Sequence, residues 1–102
     1  MEFSLFTVAI DNQVWEKIEQ NAKKYFSQVE GHYVLVAPGM WLVKTVPCYA
    51  AVNVIMLQLT RLGVPFFFVP LSTPPVCCAS ADLAQAYKKL GVEVYNTMPE
   101  KI

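Results

Sequence analysis

The chain has little charge. Eight lysine and arginine residues balance eight aspartate and glutamate residues, and charged side chains make up 16% of the sequence, whereas ordinary soluble domains carry roughly 25%. Across residues 40–71 the only ionised side chains are those of Lys44 and Arg61. The lack of a basic excess argues against a domain whose main task is to neutralise phosphates. Most of residues 40–71 must therefore be buried, either within the chain or against a partner.

Sequence motifs that indicate catalysis are also missing. The chain has no P-loop, no G-x-G-x-x-G and no H-E-x-x-H, so nucleotide binding and zinc hydrolysis of the familiar kinds are unsupported. The single histidine, His32, opens a predicted strand and is interpreted as structural. No cofactor is expected from these patterns, and catalysis is not favoured.

Apolar residues, by contrast, are abundant: they make up 55% of the 102 residues. That length predicts one domain spanning residues 1–102 with one core. Because a small domain has a high surface-to-volume ratio, so apolar a chain is expected to expose a patch or to bury it against a partner. We therefore expect a homo-oligomer, most simply a dimer, and a protein partner is the other way to cover the patch.

A membrane span and an export signal are not expected. The best span would be residues 46–71, but Asn53, Arg61 and Pro65 interrupt it, so it is interpreted as a helix, a turn and a buried strand. Glu2 stands where a secretory signal requires basic residues. Three cysteines without metal-type spacing fit a reducing compartment. The expected location is cytoplasmic.

The order of predicted elements indicates an α+β fold. Residues 38–39, Pro-Gly, form a turn signal that predicts a hairpin, which weighs against an open, flavodoxin-type sheet. The order β-α-β-β-α-β is that of the ferredoxin-like sandwich. An additional C-terminal α-β unit could cover the second sheet face or extend an edge, and residues 76–79 are interpreted as loop. Strands are predicted at residues 3–10, 32–37, 40–46, 64–71 and 92–97, and helices at 13–26, 47–62 and 81–90.

Asp11 is the acidic residue of most interest, because it directly follows the first strand. Its simplest role is to cap the next helix. The stretch FTVAID ending at Asp11, the strand WLVKT and the strand LGVPFFFV together resemble small ferredoxin-like proteins related to the CRISPR-associated integration subunit and its endoribonuclease relatives, over about residues 3–71. The resemblance implies a dimer through sheet faces, with Asp11 of each chain holding Mg²⁺ or Mn²⁺ near the dyad for nuclease activity.

The adjacent Cys77 and Cys78 precede a predicted helix start. A helix dipole there could lower a thiol pKa and produce a nucleophile, whereas the simpler interpretation is that both cysteines are buried. Adjacent cysteines are poorly placed to bond to each other. Cys48 lies in the first turn of an apolar helix and is expected in the core.

Aromatic residues offer a further candidate site. A stacking platform for bases could be built from them, but without interleaved basic residues they are more simply core and interface. The candidate aromatic residues are Trp41, Tyr49, Phe66, Phe67 and Phe68. The candidate binding residues overall are Trp41, Lys44, Cys77 and Cys78.

The sequence thus favours a small, self-associating, non-catalytic binding module of a prokaryotic or viral accessory protein, such as one in defence. The first alternative is the metal-dependent nuclease using Asp11. The second is a thiol-reactive protein using Cys77 and Cys78.

Overall fold

The computed structural model describes residues 2–9, 12–72 and 76–98, without the side chains of residues 12–14, 76–82 and 95–98. The strands are β1 (Phe3–Val8), β2 (Tyr33–Ala37), β3 (Met40–Lys44), β4 (Phe66–Pro70), β5 (Val76–Ser80) and β6 (Glu93–Met98). The helices are α1 (Asn12–Phe26), α2 (Thr45–Leu62) and α3 (Ala81–Leu90), with a short 3₁₀ turn at Ser27–Val29.

The main sheet has the strand order β2-β3-β1-β4 and is antiparallel throughout. The predicted hairpin joins β2 to β3, and Gly39 adopts the positive φ of 77° that the turn requires. β3 lies between β1 and β2, and β1 lies between β3 and β4. The predicted α+β fold, with a hairpin between β2 and β3, is therefore confirmed.

The main core lies between this sheet and the helices α1 and α2. Successive residues of a strand point to opposite faces, so Phe6 and Val8 of β1 face the two helices while Phe3 and Leu5 face away. The same alternation places Trp41 and Val43 on the helix side of β3. The buried residues of this core are Phe6, Val8, Ile18, Ala22, Phe26, Trp41, Val43, Cys48, Val52, Ile55 and Leu59.

A second core lies on the opposite face of the sheet, beneath α3. The C-terminal unit thus covers the second face, which is one of the two arrangements expected from the sequence. The second core extends over β1, β2 and β3, which contribute Phe3, Val34 and Leu42, respectively. The other buried residues of this core are Tyr87, Leu90 and Val92.

The start of α2 differs from the prediction. The helix begins at Thr45, and β3 ends at Lys44, whereas the sequence suggested a helix starting at Pro47. Tertiary hydrogen bonds explain the shift: the Thr45 N–H donates to the Glu2 carbonyl oxygen at 2.9 Å, and the Thr45 and Ser4 hydroxyls lie 2.6 Å apart. Proline is tolerated in the first helical turn because N–H groups there have no intrahelical acceptor. The helix ends, as expected, at Gly63 with φ 70°.

The segment before α3 was interpreted wrongly as loop. It forms β5, which pairs in parallel with β6 as a separate two-stranded sheet. Cys77 and Cys78 lie within this strand, where the register to β6 is irregular between them. Four residues between Pro75 and Ser80 are too few to show a strand period, and the pairing partner comes only after α3.

The interpretation of residues 46–71 as helix, turn and strand is confirmed. They form most of α2, the turn at Gly63 and β4. In the part of the chain that the structure describes, no helix is both long and apolar enough to cross a bilayer.

Candidate interaction surface

The outer edge of β4 is one of the two edges of the main sheet, and the outer edge of β2 is the other. β4 pairs with β1 on one side, and within the described residues no strand pairs with its other side. An unpaired edge offers a row of N–H and C=O groups to another chain, and proteins usually protect such edges. The outer edge of β4 is therefore a candidate site of interaction.

The register identifies which backbone groups of β4 face outward. The Ala9 N–H donates to the Pro65 carbonyl oxygen at 2.9 Å, and the Leu71 N–H donates to the Phe3 carbonyl oxygen at 2.9 Å. Because an antiparallel ladder alternates, residues 67 and 69 also direct their backbone groups toward β1. The N–H and C=O groups of Phe66 and Phe68 therefore point away from β1. Pro70 shares this direction, and its missing N–H suits an edge position.

The side chains of β4 divide between the two faces of the sheet. Phe66 and Phe68 are half-buried against the main core. Phe67 and Val69 point to the opposite face and remain 69% and 45% exposed. α3 does not cover this part of the face. The nearest residue to β4 in the second core, beneath α3, is the partly buried Leu71, which follows the strand. The end of the sheet around β4 is thus apolar and uncovered.

A stripe of exposed, uncharged residues also runs along α2, which packs on the opposite face of the sheet from Phe67 and Val69. Val46, Tyr49, Asn53 and Leu57 follow at spacings of three and four residues, which places them on one side of a helix. All four are exposed, and Val46 reaches 84%. We call them the outer stripe of α2.

Within the outer stripe, Tyr49 lies on the side of α2 toward β4, whereas Leu57 is four residues before Arg61 and lies nearer the cleft side of the helix. Gln58, Arg61 and Leu62 of α2 line a cleft shared with α1, and at 3.6 residues per turn Tyr49 lies about 180° around the helix from Gln58. α1 lies over β2 and β3, because its residues line a cleft with Tyr33, Leu35 and Trp41. α2 packs beside α1 and contacts β1 and β4. The side of α2 away from α1 therefore lies toward β4.

We name the outer edge of β4 together with the outer stripe the β4–α2 surface. Its residues are Val46, Tyr49, Asn53, Leu57 and Phe66–Pro70. None of them is charged. A surface without charge can meet an identical copy without like-charge repulsion, which is a requirement of any two-fold interface.

Two of the predicted binding residues, Trp41 and Lys44, point to opposite faces of the sheet. Trp41 is 3% exposed and stacks on Phe6 and Phe26, with ring centroids 5.3 Å apart in both pairs. Lys44 is half-buried and lies at the end of β3 on the opposite face. Their role in binding a ligand or partner stays a prediction.

The candidate aromatic platform does not form a single surface. Trp41 is buried, Phe66 and Phe68 pack on the core, Phe67 points to the other face of the sheet, and Tyr49 lies on α2. The burial of Trp41, Phe66 and Phe68 agrees with the core part of the simpler interpretation, and an interface at the exposed Phe67 and Tyr49 stays a prediction.

The metal-dependent nuclease alternative depends on Asp11, which lies outside the described residues. In the part of the chain that the structure describes, no three histidine, cysteine, aspartate or glutamate side chains are grouped to hold a metal ion. The nuclease alternative and its metal stay a prediction.

One cleft next to the core lies between α1 and the strands β2 and β3. Its volume is about 170 Å³, comparable to a cavity of about 150 Å³ that holds benzene. The rings around it also pack on one another, with the Phe26 and Tyr33 centroids 4.7 Å apart. We interpret the cleft as part of the packing of α1 on the sheet. Its lining residues are Trp15, Glu19, Ala22, Lys23, Phe26, Tyr33, Leu35 and Trp41.

Cys48 is the core thiol that the sequence predicted. It is fully buried, and its Sγ donates a hydrogen bond to the His32 carbonyl oxygen at 3.3 Å. Burial raises the pKa of the Cys48 thiol to about 11, against a smaller lowering by a backbone hydrogen bond at Lys44. The folded state therefore favours the neutral thiol. This contribution to stability is complete below the thiol's ordinary pKa and is lost as the pH rises through about 11.

Cys48 should consequently resist iodoacetamide at pH 8 while the chain is folded, and react once urea unfolds it. Mass spectrometry of peptides after timed alkylation measures this. Cys77 and Cys78 provide the internal comparison, since the thiol-reactive alternative requires that they are modified in the folded chain. Labelling of Cys48 in the folded chain at the rate of a free thiol would contradict its burial.

Sequence reasoning missed the β4–α2 surface as a unit. α2 is apolar almost all round, so its sequence does not distinguish a buried face from an exposed one. The exposure of Phe67 depends on how far α3 extends over the sheet. Comparisons with known proteins do not add to this geometry: no family model, no curated protein and no solved structure matches the chain.

Proposed function

We propose that this protein is a small self-associating interaction module without catalysis, and that its fold is the ferredoxin-like sandwich with an added C-terminal unit. The element order β1-α1-β2-β3-α2-β4 and the central position of β1 and β3 support the fold. The added unit is β5-α3-β6, which packs α3 on the second face of the sheet.

The observation that carries the functional proposal is the β4–α2 surface. It combines an unpaired strand edge with exposed apolar side chains and has no charge. Scattered exposed apolar residues are ordinary, but an unpaired strand edge flanked by exposed apolar side chains such as Phe67 and Val69 is typical of an interface. Covering Phe67 alone would contribute on the order of 1–2 kcal/mol of apolar burial.

Analytical ultracentrifugation of the unmodified chain tests self-association. We expect a species of about twice the chain mass of 11.5 kDa at tens of micromolar, with dissociation on dilution. A reducing agent should be present, so that disulfides do not contribute to the mass. A monomer at every concentration up to about 100 µM would contradict the proposal. A dimer with a free energy of association stronger than about 5 kcal/mol would be detected in that range.

A further inference from the structure

We infer that two copies of the chain pair through the outer edges of their β4 strands, antiparallel and centred on Phe67, to form one continuous sheet of eight strands. This inference rests on the proposed self-association and specifies its interface. It is drawn from the direction of the free backbone groups, the position of the prolines and the outer stripe of α2.

The prolines restrict the register of such a pairing. With Phe67 at the dyad, Phe66 of each copy lies opposite Phe68 of the other, and each of these two pairs exchanges both of its N–H···O bonds. If Phe68 were at the dyad instead, Phe66 would lie opposite Pro70, which has no N–H to donate. If Phe66 were at the dyad, Phe68 would lie opposite Val64, whose N–H already bonds to the Leu59 carbonyl oxygen at 3.0 Å. Of these three registers, only the one centred on Phe67 gives a partner to every outward N–H and C=O group of Phe66 and Phe68.

The side chains are also placed well in this register. Residues directly opposite each other in an antiparallel pair lie on the same face, with Cβ atoms about 4.5–5.5 Å apart. The two Phe67 rings would meet at the dyad on the face that α3 leaves open. Aromatic pairs across strands stabilise a sheet by up to about 1 kcal/mol each.

The same pairing brings the two α2 helices near each other. Neighbouring strands lie about 4.8 Å apart, and α2 contacts β1, β3 and β4, so the two helix axes would be roughly two to three strand spacings, or about 10–14 Å, apart. Directly packed helices lie about 8–10 Å apart. The sides of the two helices that carry Tyr49 would thus face each other across the dyad.

Two features favour a second copy of this chain over an unrelated strand. The free donors and acceptors are symmetric about Phe67, as a two-fold interface requires. The surface also has no charge by which to select a charged peptide. A dimer through sheet faces is less favourable, because α3 already buries Phe3, Val34 and Leu42 on the second face.

Cysteine cross-linking tests the register. In a background with Cys77→Ser and Cys78→Ser, Phe67→Cys should form a disulfide between two copies under mild oxidation, because opposed residues come within the required Cα distance of about 4.4–6.8 Å. Val69→Cys is the matched control: the two copies of residue 69 would lie about 13 Å apart along the strands. The background chain, with only the buried Cys48, should not cross-link. Non-reducing electrophoresis reads out the covalent dimer.

Amide hydrogen exchange tests the same interface without a substitution. The Phe66 and Phe68 amides should be protected at concentrations where the chain is dimeric and exchange faster on dilution to the monomer. The Phe67 amide, which points to β1, should stay protected at both concentrations and serves as the internal reference.

The outcomes separate the two proposals. A dimer in the ultracentrifuge with unprotected Phe66 and Phe68 amides, or with Val69→Cys cross-linking as well as Phe67→Cys, would overturn the β4 pairing and leave self-association intact. A monomer throughout would overturn both. Cross-linking specific to Phe67→Cys, with concentration-dependent protection of the two amides, supports the pairing.

Discussion

Replacement of Trp41 by alanine should lower the free energy of unfolding by about 3–5 kcal/mol, the usual range for removing a large buried aromatic residue. Trp41 is almost fully buried at the centre of the main core. Its ring stacks on Phe6 and Phe26 and lies 5.7 Å from the ring of Trp15. The substitution would remove these contacts and leave a cavity next to the existing cleft.

Urea unfolding followed by circular dichroism measures the effect of Trp41→Ala, at one fixed protein concentration because association adds to the apparent stability. Leu62→Ala is the control, since Leu62 is 57% exposed and its truncation should cost less than about 1 kcal/mol. A similar small loss for both variants would contradict the central position of Trp41. If Trp41→Ala does not fold, Trp41→Phe keeps a ring in the core and should show a smaller loss.

Replacement of Phe67 by lysine should weaken self-association at least about 100-fold, which corresponds to roughly 2.7 kcal/mol. In the proposed pairing the two substituted side chains would meet at the dyad, where like charges directly opposite each other are destabilising. The variant also loses the apolar contact between the two rings. Because Phe67 is exposed in the single chain, the fold itself should be little affected.

Leu62→Lys is the matched control for this variant. Leu62 is an exposed apolar residue of similar accessibility, but it lines the cleft between α1 and α2, away from β4. Sedimentation of both variants at several concentrations gives their dissociation constants, and circular dichroism checks that each is folded. Equal weakening by the two substitutions would contradict an interface at Phe67.

Local sequence patterns predicted most of the main sheet and its helices. Alternating residues placed Phe6 and Phe3 on opposite faces of β1, and both faces are covered near the centre of the sheet as that pattern requires. Gly63 and the Pro38-Gly39 pair marked a helix end and a hairpin through backbone conformations that depend on few neighbours. The bounds of α3 were predicted as observed, at Ala81–Leu90.

Elements that depend on distant partners were not predicted. β5 pairs with a strand that follows α3. The start of α2 is set by hydrogen bonds of Thr45 with Ser4 of β1 and with Glu2, which precedes β1. Such contacts join residues far apart in sequence, so no local period records them.

The candidate site divides in the same way. The sequence by itself determined that this chain has more apolar side chains than charge to balance them, and that residues 46–71 form a helix, a turn and a strand. The tertiary structure decided where the excess is exposed, because α3 covers the sheet over β1, β2 and β3 and leaves β4 open. Composition states how much apolar surface there is, but only the packing of one element on another determines which part remains for a partner.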